Sequence, residues 1–175
     1  MPEPIDAAAD HGLTPKDFPG VAGLTQEAID AAVDSVRRLA DWHIWPEREE
    51  TVRVDSPGDP MVVLPTKRLT AVHSVEVDGE PVEIGEQDWS PDGMIWIAGL
   101  RPRRDRRPRW IVARVTHGYT GAGDVLALVR SMATRASAPG QSYTVGRINV
   151  GAPGAVTPQS TEWRIIDQIR LGPIP

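Results

Sequence analysis

The spacing of the apolar residues changes along the chain, and this change constrains the fold more than any other feature of the sequence. Over about residues 25–44 apolar positions recur every three or four residues, which predicts a helix. Over residues 51–116 they alternate with polar positions in short β-branched runs, which predicts strands. Helical spacing returns over residues 124–137 and again after Ser160. A β-region placed between helices predicts an α+β fold.

Capping chemistry predicts where the helices begin and end. Thr25 offers a side-chain oxygen to the first turn of a long N-terminal helix, and Pro46 cannot continue that helix. Asp124 and Ser160 are the predicted caps of a second helix and of a short C-terminal helix, which Gly172 ends.

The β-region is predicted to form a small antiparallel sheet or partial barrel. Asp78-Gly79 is a strong hairpin signal, because both residue types tolerate the positive φ of a tight turn. Residues 143–150 predict a further strand or hairpin. The other predicted strands are Thr51–Val54, Met61–Leu64, Val72–Val77, Pro81–Ile84, Met94–Ala98 and Trp110–Thr116.

The chain has 16 glycines and 17 prolines, and they are most frequent at its two ends, with seven in residues 1–24 and seven in residues 151–175. We expect residues 1–24 to form an extended N-terminal arm, because they show no apolar period. Residues 25–150 are predicted to form one domain, containing the first helix, the β-region and the second helix. Residues 151–175 are predicted to be a connector loop followed by a docking helix and tail.

Composition and motifs argue against most enzyme classes. The chain has no cysteine, so disulfides and thiolate chemistry are excluded. Phosphate-binding loops, dinucleotide-binding glycines and nucleophile elbows are absent from the sequence. We therefore expect no enzyme activity, no catalytic residue, no cofactor and no metal. The apolar runs are too short for a membrane span, and no membrane partner is expected.

Three histidines supply the one metal hypothesis that the sequence allows. His43, His73 and His117 could together bind a catalytic zinc, since three imidazoles suffice. Their separation gives no ligand spacing, and hydrogen-bonded structural histidines are the favoured interpretation. A histidine-metal hydrolase remains a remote alternative.

A dense arginine segment lies between two predicted strands, Met94–Ala98 and Trp110–Thr116, and is therefore expected at a hairpin tip. With one aspartate it carries a formal +5, whereas the whole chain carries −5, so the remainder carries −10. Guanidinium groups suit either a phosphate backbone or an acidic protein surface. A solvated tip without a partner is the other interpretation. The arginines are Arg101, Arg103, Arg104, Arg106, Arg107 and Arg109.

The tryptophans fall into two predicted groups. Trp42, Trp96 and Trp110 lie where the core is expected. Trp163 lies with Ile166 and Ile169 on one face of the short third helix, which is marginal alone and must dock on its own domain or on a neighbouring chain. The neighbouring chain is the favoured interpretation.

An ordered series of short motifs resembles a known family of proteins. It begins with the first helix, continues through the Asp78-Gly79 hairpin and ends with a terminal helix containing Glu162. The series resembles the head-to-tail adaptor (head completion or connector) proteins of long-tailed double-stranded DNA bacteriophages, particularly the actinobacteriophage type, over about residues 24–171. The arginine segment, the proline-rich N-terminal residues and Trp45 depart from the family pattern. The motifs are Trp42-His43-Ile44-Trp45-Pro46, Leu64-Pro65-Thr66, Asp88-Trp89-Ser90, Gly93-Met94-Ile95, Thr116-His117-Gly118-Tyr119, Asp124-Val125 and Val145-Gly146.

The resemblance implies a structural virion protein of the neck, assembled in the host cytoplasm. Such adaptors form a homo-oligomeric ring, usually a dodecamer, between the portal protein and a downstream neck, stopper or tail-completion protein. Double-stranded DNA passes through the lumen. On this hypothesis the end of the chain contacts the portal or a neighbouring subunit through Trp163, Ile166, Ile169, Arg170 and Leu171.

The arginine segment leaves a different function open. On the adaptor hypothesis its six arginines are candidate contacts to DNA or to a neck protein. The alternative is a stand-alone nucleic-acid-binding β module that uses the loop Arg101–Arg109.

Overall fold

A computed structural model of the chain describes residues 11–121, 123–137, 143–145, 148–150 and 158–172. These residues confirm the predicted α+β class and form open antiparallel sheets, with no closed barrel among them. Contacts divide the chain into two units, Met1–Ala40 with Ala122–Gln168 and Asp41–Gly121 with Ile169–Pro175. The three-part domain division expected from the sequence stays a prediction. In chain order the elements are α1 (Gln26–Ala40), β1 (Arg48–Ser56), β2 (Met61–Val63), β3 (Leu69–Val77), β4 (Glu80–Val82), β5 (Met94–Trp96), β6 (Arg109–His117), α2 (Gly123–Ser137), β7 (Tyr143–Val145), β8 (Ile148–Val150) and α3 (Ser160–Ile169).

Helix α1 begins as predicted and ends early. The Thr25 side chain accepts a hydrogen bond from the Ala28 N–H at 3.2 Å, which satisfies one of the free donors of the first turn. The helix ends at Ala40 rather than at residue 44, because Asp41 adopts a left-handed conformation with φ of 64°. Left-handed residues terminate helices, so the stop precedes Pro46.

The first unit is built on the packing of α1 against α2. Residues 11–24 pack with these helices, and the sequence interpretation of an extended arm does not hold for them. They contain a short 3-10 turn, Pro15–Asp17, and their apolar residues Leu13, Phe18 and Leu24 are buried. The apolar residues that α1 and α2 bury are Ala28, Ile29, Ala32, Val33, Val36, Ala40, Val125, Leu128, Val129, Met132 and Ala133.

Helices α2 and α3 both begin slightly earlier than their predicted caps imply. Gly123 is the first residue of α2, so Asp124 lies in its first turn. Ser160 is the first residue of α3, and the cap is Gln159, whose N–H donates to Glu162 Oε2 at 2.7 Å. A glutamate that reaches back to the cap N–H is half of a capping box.

The second unit contains a four-stranded antiparallel sheet in the order β1-β6-β3-β4. Strand β6 is central, and its whole length pairs with β1, from Arg48 opposite His117 to Ser56 opposite Arg109. The predicted β3–β4 hairpin is confirmed: Asp78 and Gly79 have φ values of 55° and 89°, as a tight hairpin turn requires.

A separate two-stranded ribbon, β2 with β5, contributes to the same core as the four-stranded sheet. Val62 lies opposite Ile95 in the ribbon, and both are buried with Ile111 and Ala113 of β6. Because strand side chains alternate, the ribbon residues on either side of this pair point away from the core.

The predicted strand or hairpin near residue 143 is confirmed as strands β7 and β8, with Tyr143 opposite Val150. The predicted connector lies largely outside the described residues, which resume at residue 158.

Candidate functional site

The arginine segment, residues 101–109, connects two different sheets. The hairpin expected from its neighbours is wrong, because β5 pairs with β2 while β6 pairs with β1 and β3. Both β5 and β6 pair with strands that are distant in sequence, and the local pattern of apolar residues does not reveal such pairings. The segment is therefore a crossing between the ribbon and the four-stranded sheet.

Asp78 anchors one end of the segment. The Arg109 Nη1 donates to Asp78 Oδ2 at 2.7 Å, and the Arg103 Nη1 lies 3.4 Å from the same oxygen. The other Asp78 oxygen accepts the Trp110 N–H at 3.2 Å. The turn that makes the β3–β4 hairpin thus also fixes the arginine segment.

A glycine fixes the other end. Gly58 has a φ of 103°, and a Cβ on it would lie 2.4 Å from the Pro102 nitrogen. The backbone of Arg101 and Pro102 therefore packs directly on the turn that precedes β2.

The middle of the segment is a turn that a backbone hydrogen bond and ion pairs stabilise. The Arg106 N–H donates to the Arg103 carbonyl at 3.1 Å, and Arg106 adopts a left-handed φ of 60°. Asp105 lies within ion-pair distance of Arg103 and Arg107, at 3.5 and 3.8 Å. Of the six arginines of this segment, Arg101, Arg104 and Arg106 form no ion pair with a described residue.

The predicted contact face of α3 divides into buried and exposed members. Ile166 is fully buried, Ile169 is half-buried, and Trp163 keeps 37% of its surface exposed. The isoleucines pack within the chain itself, so Trp163 is the large apolar side chain of α3 that remains accessible.

The residues from Ile169 onward belong to the second unit and form hydrogen bonds within it. The Trp42 Nε1 donates to the Ile169 carbonyl at 2.7 Å, and the Lys67 Nζ donates to the Arg170 carbonyl at 3.1 Å. The Arg170 side chain is exposed and lies 3.6 Å from Asp41, while Leu171 is half-buried.

A buried ion pair fixes α3 on α2. The Arg135 Nη1 and Nη2 donate to the two Glu162 oxygens, each at 2.7 Å. Burial acts to raise the pKa of Glu162, but the hydrogen bonds from Arg135 and from the Gln159 N–H lower it below its ordinary value. Such a two-pronged pair fixes orientation as well as distance.

Two of the three tryptophans expected in the core are exposed. Trp42 is buried and packs against Tyr119, with ring centroids 6.0 Å apart. Trp96 and Trp110 are 50% and 39% exposed, because both alternate with core residues, Ile95 and Ile111, along their strands. The Arg53 guanidinium covers the Trp110 ring at 4.6 Å.

The outward side of the β2–β5 ribbon is an apolar face that the sequence interpretation missed. Met61 lies directly opposite Trp96, and Met94 is two residues before Trp96 on the same face. Met61 and Met94 are 51% and 36% exposed. We call these three residues the apolar ribbon face. Their period of two was visible in the sequence, but which side faces the core was not.

The structure brings two of the three histidines together. The rings of His43 and His117 lie 5.6 Å apart, whereas His73 bonds the Thr116 hydroxyl on the opposite face of β6. Among the described residues, no group of three or more histidine, aspartate or glutamate side chains is placed to hold a metal ion.

The buried His117 interacts with a carboxylate of β1. Its Nε2 lies 3.1 Å from Glu50 Oε2, and the Arg48 Nη2 lies 2.7 Å from the same oxygen. The hydrogen bond from His117 and then the interactions with Arg48 lower the pKa of Glu50 to about 2, against the opposing effect of burial. These contacts tie the start of β1 to the end of β6.

No described helix is long and apolar enough to cross a membrane. No family model and no curated protein matches the sequence. Among solved structures, the chain is similar to a chain from the neck of an empty gene transfer agent (GTA) particle, computed with C6 symmetry. The TM-score is 0.53 at 14% sequence identity, over 86% of this chain and 79% of that chain. The two chains share their fold.

Proposed function

We propose that this chain is a structural subunit of the neck of a phage-like particle. In this proposal, copies of the chain form a ring between the capsid portal and a downstream neck, stopper or tail-completion protein. DNA passes through the lumen, and the protein is assembled in the host cytoplasm and resides in the virion as a non-enzymatic component.

The similarity of fold to the GTA neck chain carries this proposal, since it extends over most of both chains. Fold alone does not determine function, so the exposed surfaces must also suit an assembly role. The apolar ribbon face and Trp163 expose large apolar side chains of the types that are enriched in protein interfaces. Both observations favour a protein that binds other proteins.

The proposed portal or neighbour contact is the end of the chain, with Trp163 as its apolar anchor. Arg170, seven residues after Trp163 in the sequence, is an exposed cation, and Ile169 and Leu171 are half-buried. Ile166 is fully buried, so its contribution is to fix α3 rather than to touch a partner.

Light scattering of the purified protein, alone and mixed with the portal protein of the same phage, tests the proposal. We expect a large complex of defined mass containing several copies of this chain for each portal. Protein that stays monomeric at high concentration and does not bind the portal would contradict the neck assignment.

A stand-alone nucleic-acid-binding module is the second candidate, favoured by the three arginines without ion pairs. Its signature is binding of duplex DNA by the monomer with a steep salt dependence, because each phosphate contact releases counterions. Replacing Arg101, Arg104 and Arg106 with Ser should then reduce the salt slope by about 3. The −10 charge on the rest of the chain opposes this function.

A further inference from the structure

The apolar ribbon face and the arginine segment lie next to each other through contacts of their backbones. Gly58 packs on Pro102, and Met61, which opens the ribbon, follows Gly58 by three residues. The Pro60 carbonyl accepts the Ile97 N–H at 2.7 Å, directly after Trp96. The apolar side chains therefore lie next to the start of the arginine segment. We call this combined surface the apolar-basic face.

The composition of this face indicates a protein partner. Exposed tryptophan and methionine gain nothing from a phosphate backbone, which is contacted by cations and polar groups. Tryptophan, methionine and arginine together are the residues most enriched in protein interfaces, and tryptophan and arginine dominate their energetic centres. The expected partner surface is an apolar recess bordered by carboxylates.

The chain itself contains a surface of this kind. An open cleft of about 450 Å³ lies beside β3 and β4 and the residues that follow. Its apolar lining includes Val72, Val82 and Ile84, and Glu83 contributes a carboxylate.

The stretch of chain that supplies the lining of this cleft is strongly acidic. Residues 69–100 contain seven aspartates and glutamates and no lysine or arginine. Glu80, Glu83 and Glu86 are exposed, and none of them forms an ion pair with a residue that the structure describes. We call the cleft with these three glutamates the acidic cleft.

We propose that the apolar-basic face of one copy docks on the acidic cleft of the next copy. Trp96 and the two methionines enter the recess, while Arg101, Arg104 and Arg106 meet the three glutamates. This inference rests on the proposed ring function and identifies the surfaces that join its subunits.

Charge complementarity is the reason for assigning a second copy as the partner. Within one copy, three arginines and three glutamates on the second unit remain without described ion pairs, and a contact between copies satisfies both sets. Because the two surfaces differ, the contact is heterologous and repeats from copy to copy. Such contacts close into a ring when the rotation between copies fits.

Charge exchange between the two surfaces tests the pairing. In the first variant Arg101, Arg104 and Arg106 become Glu, and in the second Glu80, Glu83 and Glu86 become Arg. We expect each variant alone to self-associate at least about tenfold more weakly than the wild type, in sedimentation with and without the portal protein. The chain carrying both sets of changes, and an equal mixture of the two variants, should regain assembly.

The exchange also separates this inference from the proposed function. Portal-bound rings that form equally well with all variants would overturn the pairing and leave the neck assignment intact. Wild-type protein that assembles neither alone nor on the portal would contradict both. In a further outcome, the single variants associate more weakly while the combined exchange fails to restore assembly. If all of these chains keep a native circular dichroism spectrum, that result would overturn the pairing and indicate another partner for the arginines.

Cross-linking locates the contact directly, because the chain has no native cysteine to interfere. We expect a mixture of an Arg104→Cys chain and a Glu83→Cys chain to give a dimer with a short bismaleimide reagent. A mixture of Arg104→Cys with Glu27→Cys, an exposed position on α1, is the matched control and should give no cross-linked dimer. Equal yields of cross-linked dimer from both mixtures would overturn the proposed pairing. So would the absence of cross-linked dimer from both mixtures when the protein is assembled.

Discussion

Glu50 and Gly58 are single residues on which local geometry of the second unit depends. Glu50 receives hydrogen bonds from His117 and Arg48, and so joins the ends of two paired strands. Gly58 lets the backbone of the arginine segment approach more closely than any Cβ would allow. Each residue supports a prediction about stability that is independent of function.

Substituting Glu50 with Gln should destabilise the protein by about 1–2 kcal/mol at pH 7, allowing for solvent screening of a carboxylate that is more than a third exposed. The pKa of Glu50 falls from an ordinary value of 4.5 to about 2 on folding, so its charged form stabilises the fold above that ordinary value. The advantage of the wild type over E50Q should shrink as the pH falls from about 4.5 to about 2. Urea denaturation at pH 7, 4 and 2.5 measures this difference in the free energy of unfolding, with Glu76→Gln as an exposed control on β3. A constant difference across these pH values would contradict the assignment.

Substituting Gly58 with Ala should cost about 1–3 kcal/mol, since the new Cβ would clash with Pro102 and the left-handed φ disfavours a side chain. Gly99→Ala is the matched control, because Gly99 also has a positive φ of 75° but meets no atom within 4 Å. Its cost should be about 1 kcal/mol, from backbone strain alone. The stability of the two variants is compared by their denaturation midpoints. Equal losses of stability would show that the close contact at Gly58 is unimportant.

At the scale of elements, α3 is the helix whose position depends on the fewest contacts. It has ten residues, and its buried residues are Glu162 and Ile166. A helix of this length needs packing to persist in water. We therefore expect the pair between Arg135 and Glu162 to contribute much of what holds α3 on α2.

Replacing Arg135 with Met should leave the Glu162 carboxylate buried without its partner and destabilise α3 by about 1–3 kcal/mol. Hydrogen exchange of the α3 amides should increase by at least tenfold, while the amides of β6 in the second unit keep their protection. Asp167→Asn on the exposed side of α3 serves as the control. Unchanged exchange in the Arg135→Met chain would mean that the pair between Arg135 and Glu162 is not needed to hold the helix.

For the molecule as a whole, the proposed assembly function draws on large apolar side chains that the fold leaves at the surface. Trp96 and Trp163 have no described cover, whereas Trp110 lies under Arg53. Exposed aromatic residues at assembly surfaces often account for most of the binding free energy. The two uncovered tryptophans lie in different units, which suits a subunit that contacts more than one partner.

Substituting Trp163 with Ala should preserve the fold, because the side chain is exposed, and weaken binding to the portal protein by about tenfold or more. Trp110→Ala removes a side chain of similar exposure from β6 and should leave portal affinity unchanged. Calorimetric titration of each variant into the portal protein gives the affinities. Equal affinities of both variants and the wild type would remove Trp163 from the portal contact.

The sequence by itself determined the elements whose signals are local. The N-cap at Thr25, the Asp78-Gly79 turn and the alternation in β6 each depend on residues a few positions apart, so all three were predictable. The end of α1 was misplaced because the left-handed Asp41 stops the helix before Pro46 does.

Tertiary structure decided which strands pair and which side of each strand is buried. Residues of β5 and β6 are neighbours in sequence, yet each strand pairs with others far along the chain. The alternation of side chains gives each strand two faces, and the sequence does not show which face is buried. Packing of the ribbon on the sheet decides this, and it leaves Trp96 and Met61 exposed. The proposed assembly surfaces follow from that choice, because burial is a property of the whole fold and not of any local pattern.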